Sequence, residues 1–131
     1  MTDDEFADAF EALTLPPGAF RHEDHVRLAW IYLRRMTLPA ALGRYADRLR
    51  AFAAHVGKPG LYHETITCAF LMLINERMGD GPAQEAWPAF QARNPDLFQG
   101  VRPALGRYYT DERLASERSR AGFVMPDRVA G

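Results

Sequence analysis

From Ile66 to Ile74 the chain reads Ile-Thr-Cys-Ala-Phe-Leu-Met-Leu-Ile, a stretch with no charge and no helix breaker. Gly57-Lys58-Pro59-Gly60 before it and Gly79-Asp80-Gly81-Pro82 after it confine it to one element of about Leu61 to Met78. That length suits a helix rather than a strand. The longest unbroken apolar run, Ala69 to Ile74, is far too short to cross a bilayer. A helix that is apolar nearly all round has no face to leave in water, so other elements must enclose it. This predicts an all-α fold: a single-domain bundle of about five to seven helices over 1–131, with helix 61–78 buried at its centre.

The rest of the chain supplies the enclosing helices, and no segment shows the alternation of a strand. Thr2 followed by Glu5 is a capping box, after which Phe6, Phe10 and Leu13 recur on one face until Pro16-Pro17-Gly18 stops the helix. A second helix is predicted from about Arg21 to Met36, its apolar stripe Val26, Ala29, Trp30, Leu33 and Met36. Pro39 suits the first turn of a third, with the stripe Leu42, Tyr45, Leu49, Phe52 and Val56. Trp87-Pro88 begins or kinks a fifth helix, and Asn94-Pro95-Asp96 is a turn. Shorter helices are predicted around Ala104 to Tyr109 and Asp111 to Ala121, the latter capped by Thr110. Phe123 to Pro126 reads as an extended tail returning to the surface. With 131 residues one domain suffices, burying roughly two-thirds of the unfolded chain's surface.

Three of the four histidines fall at the starts of predicted helices: His22 and His25 in Phe20-Arg21-His22-Glu23-Asp24-His25, and His63 in Tyr62-His63-Glu64-Thr65-Ile66-Thr67. His55 ends the helix between them. Short connections favour an up-down-up order that brings all four to one end of the bundle. His22 and His25 lie at i, i+3 on the N-terminal extension of an apolar stripe, so one metal ion can accept both. His63 or Glu64 can complete the set, and three ligands with an open position are the catalytic pattern of zinc or non-haem iron. The expected site is therefore a metal held by His22, His25 and His63, a divalent ion such as zinc, iron or manganese, with Glu64 as the acid–base residue. HxxxH and HExxH are both absent, so no established metal motif names the ion.

Plainer roles fit the same residues. His22 can cap the second helix, His25 can sit hydrogen-bonded at the core's edge, and Glu64 can favour a helix dipole. His55 suits a cation at a helix C-terminus. Helix N-termini also attract anions, so a carboxylate or phosphate can bind there with no metal. Tyr62, Tyr108 and Tyr109 can line a pocket or simply pack. Thr65 and Thr67 within a helix tend to bond back to their own backbone. Ser116 and Ser119 lack the setting of a nucleophile elbow, and there is no phosphate loop or dinucleotide fingerprint.

Charge and cysteine usage narrow the partners. Sixteen basic and 17 acidic residues nearly cancel, and the arginines are spread out or interleaved with acids. A nucleic-acid binder concentrates basic charge on one face, so none is expected. The lone Cys68 sits in the apolar run and reads as a buried thiol, which makes a reducing cytoplasm the default setting. The acidic opening Met1-Thr2-Asp3-Asp4-Glu5 is not that of a secretory leader, and no membrane association is expected.

The pattern Phe20-x-His22-x-x-His25-x-Arg27-x-Ala29-Trp30, followed by Tyr62-His63-Glu64-Thr65-Ile66-Thr67, resembles a family of small uncharacterised bacterial helical proteins. Asn94-Pro95-x-Leu97, Tyr108-Tyr109 and Phe123-Val124-x-Pro126-Asp127 are similar to its later segments, so the likeness runs from Phe20 to Asp127. Related sequences carry a longer Thr/Asp-rich connector where this chain has Gly57-Lys58-Pro59-Gly60-Leu61. The resemblance implies a shared site at His22, His25, His63 and Glu64, and it brings no reaction. Two functions follow as expectations: a small metal-dependent or acid–base enzyme acting on a small polar substrate, or a non-catalytic protein that holds a metal, haem or anion. A homo-oligomer is compatible with both.

Overall fold

Residues 1–128 are described by the structure, a computed structural model. They form helices α1 (Asp3–Glu11), α2 (His22–Arg35), α3 (Leu38–His55), α4 (Glu64–Gly79), α5 (Trp87–Arg93), α6 (Val101–Leu105), α7 (Asp111–Ala115) and α8 (Glu117–Ala121). Three-residue 3-10 turns at Pro17–Ala19 and Pro59–Leu61 and a four-residue one at Pro95–Phe98 link them. No strand occurs among the described residues, so the fold is all-α as predicted. No described helix is long and apolar enough to cross a membrane. The sequence predicts one bundle over the whole chain; contacts within it gather into two compact units, Met1–Tyr62 and His63–Gly131.

In the first unit the predicted capping box opens α1. Thr2 Oγ1 accepts the Glu5 N–H at 3.1 Å, and the Glu5 carboxylate accepts the Thr2 N–H at 2.9 Å. Phe6 and Phe10 are buried as the stripe requires, but Leu13 does not extend it. Leu13 turns left-handed at φ 59° and ends the helix, with its N–H on Phe10 O at 3.0 Å and that of Thr14 on Ala9 O at 2.9 Å. These are the two bonds that close a helix in this way, usually around glycine. Met36 and Thr37 then join α2 to α3 as an antiparallel hairpin, with the Tyr45 hydroxyl donating to His25 O at 3.2 Å. The buried stripe of α3 is Ala41, Tyr45, Ala46, Leu49 and Ala53, rotated from the predicted one, since Leu42, Phe52 and Val56 stay half-buried. Phe20 gathers Phe10 and Phe52, at ring centroids 4.8 Å and 5.0 Å away.

A polar hub fastens the three helices of this unit. Glu11, the last residue of α1, accepts from Arg44 Nε at 2.9 Å and from the Tyr32 hydroxyl. Arg48 donates to Glu11 O at 2.7 Å, and its Nε lies 3.4 Å from the carboxylate as an ion pair without hydrogen-bond geometry. Half-burial works to raise the Glu11 pKa, but the Arg44 and Tyr32 hydrogen bonds and the arginine charges outweigh it and hold it low.

In the second unit α4 is buried on all sides through Thr65, Thr67, Cys68, Ala69, Phe70, Leu71, Leu73 and Ile74, as the apolar run demands. It begins at Glu64 rather than near Leu61, because Pro59–Leu61 forms its own 3-10 turn. Helices α6 and α8 pack on α4. Arg77 ties its C-terminal half to the following turn through Asp96, at 2.7 Å and 3.0 Å, and Asn94 at 3.0 Å. The predicted helix from Asp111 to Ala121 is broken at Ser116, whose extended backbone ends α7 while its hydroxyl caps α8 through the Ser119 N–H at 3.2 Å. With this break the described residues form eight helices, five of them of seven residues or more. Thr110 caps α7 as expected, accepting the Arg113 N–H at 3.2 Å.

Candidate functional site

Two of the first unit's three histidines, His22 and His25, sit in the first turn of α2. Arg21 is the N-cap, and Asp24 does the capping by accepting the Arg21 N–H at 2.9 Å. Asp24 thus closes the helix start, a role for which His22 was one alternative in the sequence. His25 turns inward as the stripe predicts and lies against the Phe20 ring at 4.2 Å. Burial, and then the neighbouring His22, push its pKa down from 6.5 to about 4, so the ring is neutral at physiological pH. His55 is exposed at the end of α3.

His63 belongs to the second unit and lies outside its helix. Its backbone is extended at φ −135° and ψ 113°, and its ring acts as the N-cap of α4. Nδ1 accepts the Ile66 N–H at 3.1 Å, and Nε2 lies 2.7 Å from Leu114 O. An Nδ1 that accepts carries no proton, so the neutral ring is protonated at Nε2, which donates to Leu114. Both nitrogens are thus engaged, and a metal would have to displace one of these bonds. Glu64 follows as the first residue of α4, where its charge favours the helix dipole. Among the described residues no group of three or more His, Cys, Asp or Glu side chains is placed to hold a metal ion.

The buried Ser119 hydroxyl lies 3.4 Å from His63 Nε2. This is not an activated nucleophile. The Nε2 proton points to Leu114 O, leaving no lone pair to take the serine proton. The hydroxyl is itself directed at the carbonyls of Ser116, 2.8 Å away, and Leu114, 3.1 Å away. The three residues form a buried latch between the start of α4 and the junction of α7 with α8.

Also in the second unit is a pocket of about 340 Å³, lined from α4 by Ala69, Met72, Leu73 and Glu76. Their i, i+3, i+4, i+7 spacing puts them on one helical face. Leu105, Tyr108 and Tyr109 form a second wall, and Phe123, Met125 and Pro126 of the extended tail form the third. The tail is held in place by Thr65, whose hydroxyl donates to Gly122 O at 3.0 Å and accepts the Val124 N–H at 3.0 Å. Thr65 therefore bonds across the unit, not back to its own helix as the sequence predicts. The Tyr109 hydroxyl donates to Val124 O at 2.8 Å, and Asp127 accepts from the Thr110 N–H at 2.9 Å and hydroxyl at 2.7 Å. Val124 is buried while Phe123 and Met125 stay exposed on either side of it.

The sequence reading singled out the tyrosine pair but missed Glu76 and the tail as pocket walls. The available signal was Glu76 itself, a carboxylate seven residues on from Ala69 along an apolar stripe. Comparison of the chain with protein-family models, with curated proteins and with solved structures gives no match.

Proposed function

We propose that this chain is a non-catalytic binding protein whose ligand, a small and largely apolar molecule, occupies the pocket between α4, Tyr108 and the Phe123–Pro126 tail. The observation that carries this reading is the volume of about 340 Å³ bounded by apolar and aromatic side chains. Small-molecule sites span roughly 300–1,000 Å³ and have this make-up, with few polar groups among the apolar ones. The walls are fixed by the Thr65, Tyr109 and Asp127 bonds to the tail, which supports a pre-formed site. An enzyme built on His63 and Glu64 has less support, because both His63 nitrogens are already engaged. A cytoplasmic setting accords with the buried Cys68 thiol.

Methionine-methyl NMR tests the reading, since Met72 and Met125 line the pocket while Met1, Met36 and Met78 do not. Titration with indole should move the Met72 and Met125 methyl signals saturably and together. An absence of saturable shifts, or shifts confined to the other three methionines, overturns the proposal.

A further inference from the structure

We infer that the pocket selects an amphipathic organic cation, an amine or ammonium group carried on an aromatic or short aliphatic body. This rests on the reading of the pocket as a binding site and adds the chemistry that it recognises. Glu76 is the one charged residue among those lining the pocket. Its backbone carbonyl accepts the Asp80 N–H at 3.1 Å, but its carboxylate has no hydrogen bond or ion pair among the described residues.

Three other acids of the unit are engaged: Glu85 with Arg93 at 2.8 Å, Asp96 with Arg77 at 2.7 Å, Asp127 with Thr110. Two cations of the unit are committed as well. Arg77, next along α4, is bound to Asp96 and Asn94, and Arg113 donates to Met125 O at 2.9 Å. An uncompensated negative charge thus stands at the edge of an apolar, aromatic-walled space.

That combination discriminates by charge. A neutral apolar ligand would strip water from the Glu76 carboxylate and return nothing, and an anion would add repulsion. A cation keeps the carboxylate paired through a charge-assisted bond, the stronger kind of hydrogen bond. Tyr108 and Phe123 place aromatic rings in the second and third walls, and ring faces attract cations within about 6 Å. Ala69, Met72, Leu73 and Leu105 receive the apolar body.

The test uses three probes of one shape, 2-phenylethylamine, 2-phenylethanol and 3-phenylpropionate, titrated by methionine-methyl NMR into the wild type and Glu76→Gln. The amine should bind about tenfold tighter than the alcohol, the effect of one charge-assisted contact, and the propionate weakest. In Glu76→Gln the amine should lose its advantage and fall to the level of the alcohol, whose own affinity should hold or tighten as the charge is removed. Because Glu76 is exposed on the helix surface, the variant should unfold at the same urea concentration as the wild type. Equal binding of amine and alcohol, a preference surviving Glu76→Gln, or tighter binding of the propionate overturns the charge selectivity and leaves the pocket reading standing. Binding of none of the three overturns both.

Discussion

His63 Nε2 and the carbonyl of Leu114 are 51 residues apart in sequence and 2.7 Å apart in space. Through them the cap of α4 is also a long-range tie to α7. Loss of the ring removes two bonds at once, so His63→Ala should cost about 2–4 kcal/mol, a cap plus a buried hydrogen bond. His63→Asn can still cap Ile66 but cannot reach Leu114, and should recover about 1 kcal/mol of that loss. Urea denaturation of the three proteins checks this; losses below about 0.5 kcal/mol, as at an exposed site, would deny the tie.

Thr65→Val keeps the shape of the side chain and deletes both bonds to the tail. The Val124 N–H and the Gly122 carbonyl are left unpaired, which should cost about 1–3 kcal/mol. Thr65→Ser retains the hydroxyl and should hold the tail. Hydrogen exchange at the Val124 amide reports the difference directly, fast in the valine variant and protected in the serine one.

His25 makes the first unit acid-sensitive. The unfolded chain takes up a proton at this residue near pH 6.5, whereas the folded ring resists until about 4. The stability this residue contributes is full above pH 6.5, falls between 6.5 and 4, and has gone below. The loss is on the order of 3 kcal/mol, from a shift of between two and three pH units. In His25→Leu that component of the acid slope should be absent, as urea midpoints at pH 7, 5.5 and 4.5 will show.

Glu11 joins three helices, so its removal should cost more than that of a surface carboxylate. Glu11→Ala strips Tyr32 and Arg44 of a shared acceptor and Arg48 of its ion-pair partner, and should lose about 1–3 kcal/mol. Glu11→Gln keeps an acceptor oxygen for Tyr32 and should lie between the alanine variant and the wild type. Thermal unfolding ranks the three, and equal midpoints would remove the hub from the account.

What the sequence made legible was local. Thr2 and Glu5 stand three apart and form their box as read. Ile66 to Ile74 announces a buried helix because no polar face interrupts it. The misses involve residues whose roles depend on distant partners or lack a side-chain signature. Leu13 ends α1 left-handed, where glycine is the usual marker. His63 caps α4, although caps are ordinarily Ser, Thr, Asp or Asn, so its imidazole looked more like a metal ligand. Asp111 to Ala121 reads as one helix, and only the backbone at Ser116 shows that it is two. The pocket draws its walls from three separated segments, a conjunction that no short motif records.

Thr65 waits 59 residues for the Val124 amide that its hydroxyl accepts. On a ribosome, α4 leaves the exit tunnel while Phe123 to Pro126 are still to be made, so the wall that faces Met72 and Leu73 is for a time missing. Synthesis runs at about 5–20 residues per second, which leaves that greasy strip open for seconds. Such an interval is long enough for a chaperone to engage it, or for neighbouring nascent chains on one message to stick together there.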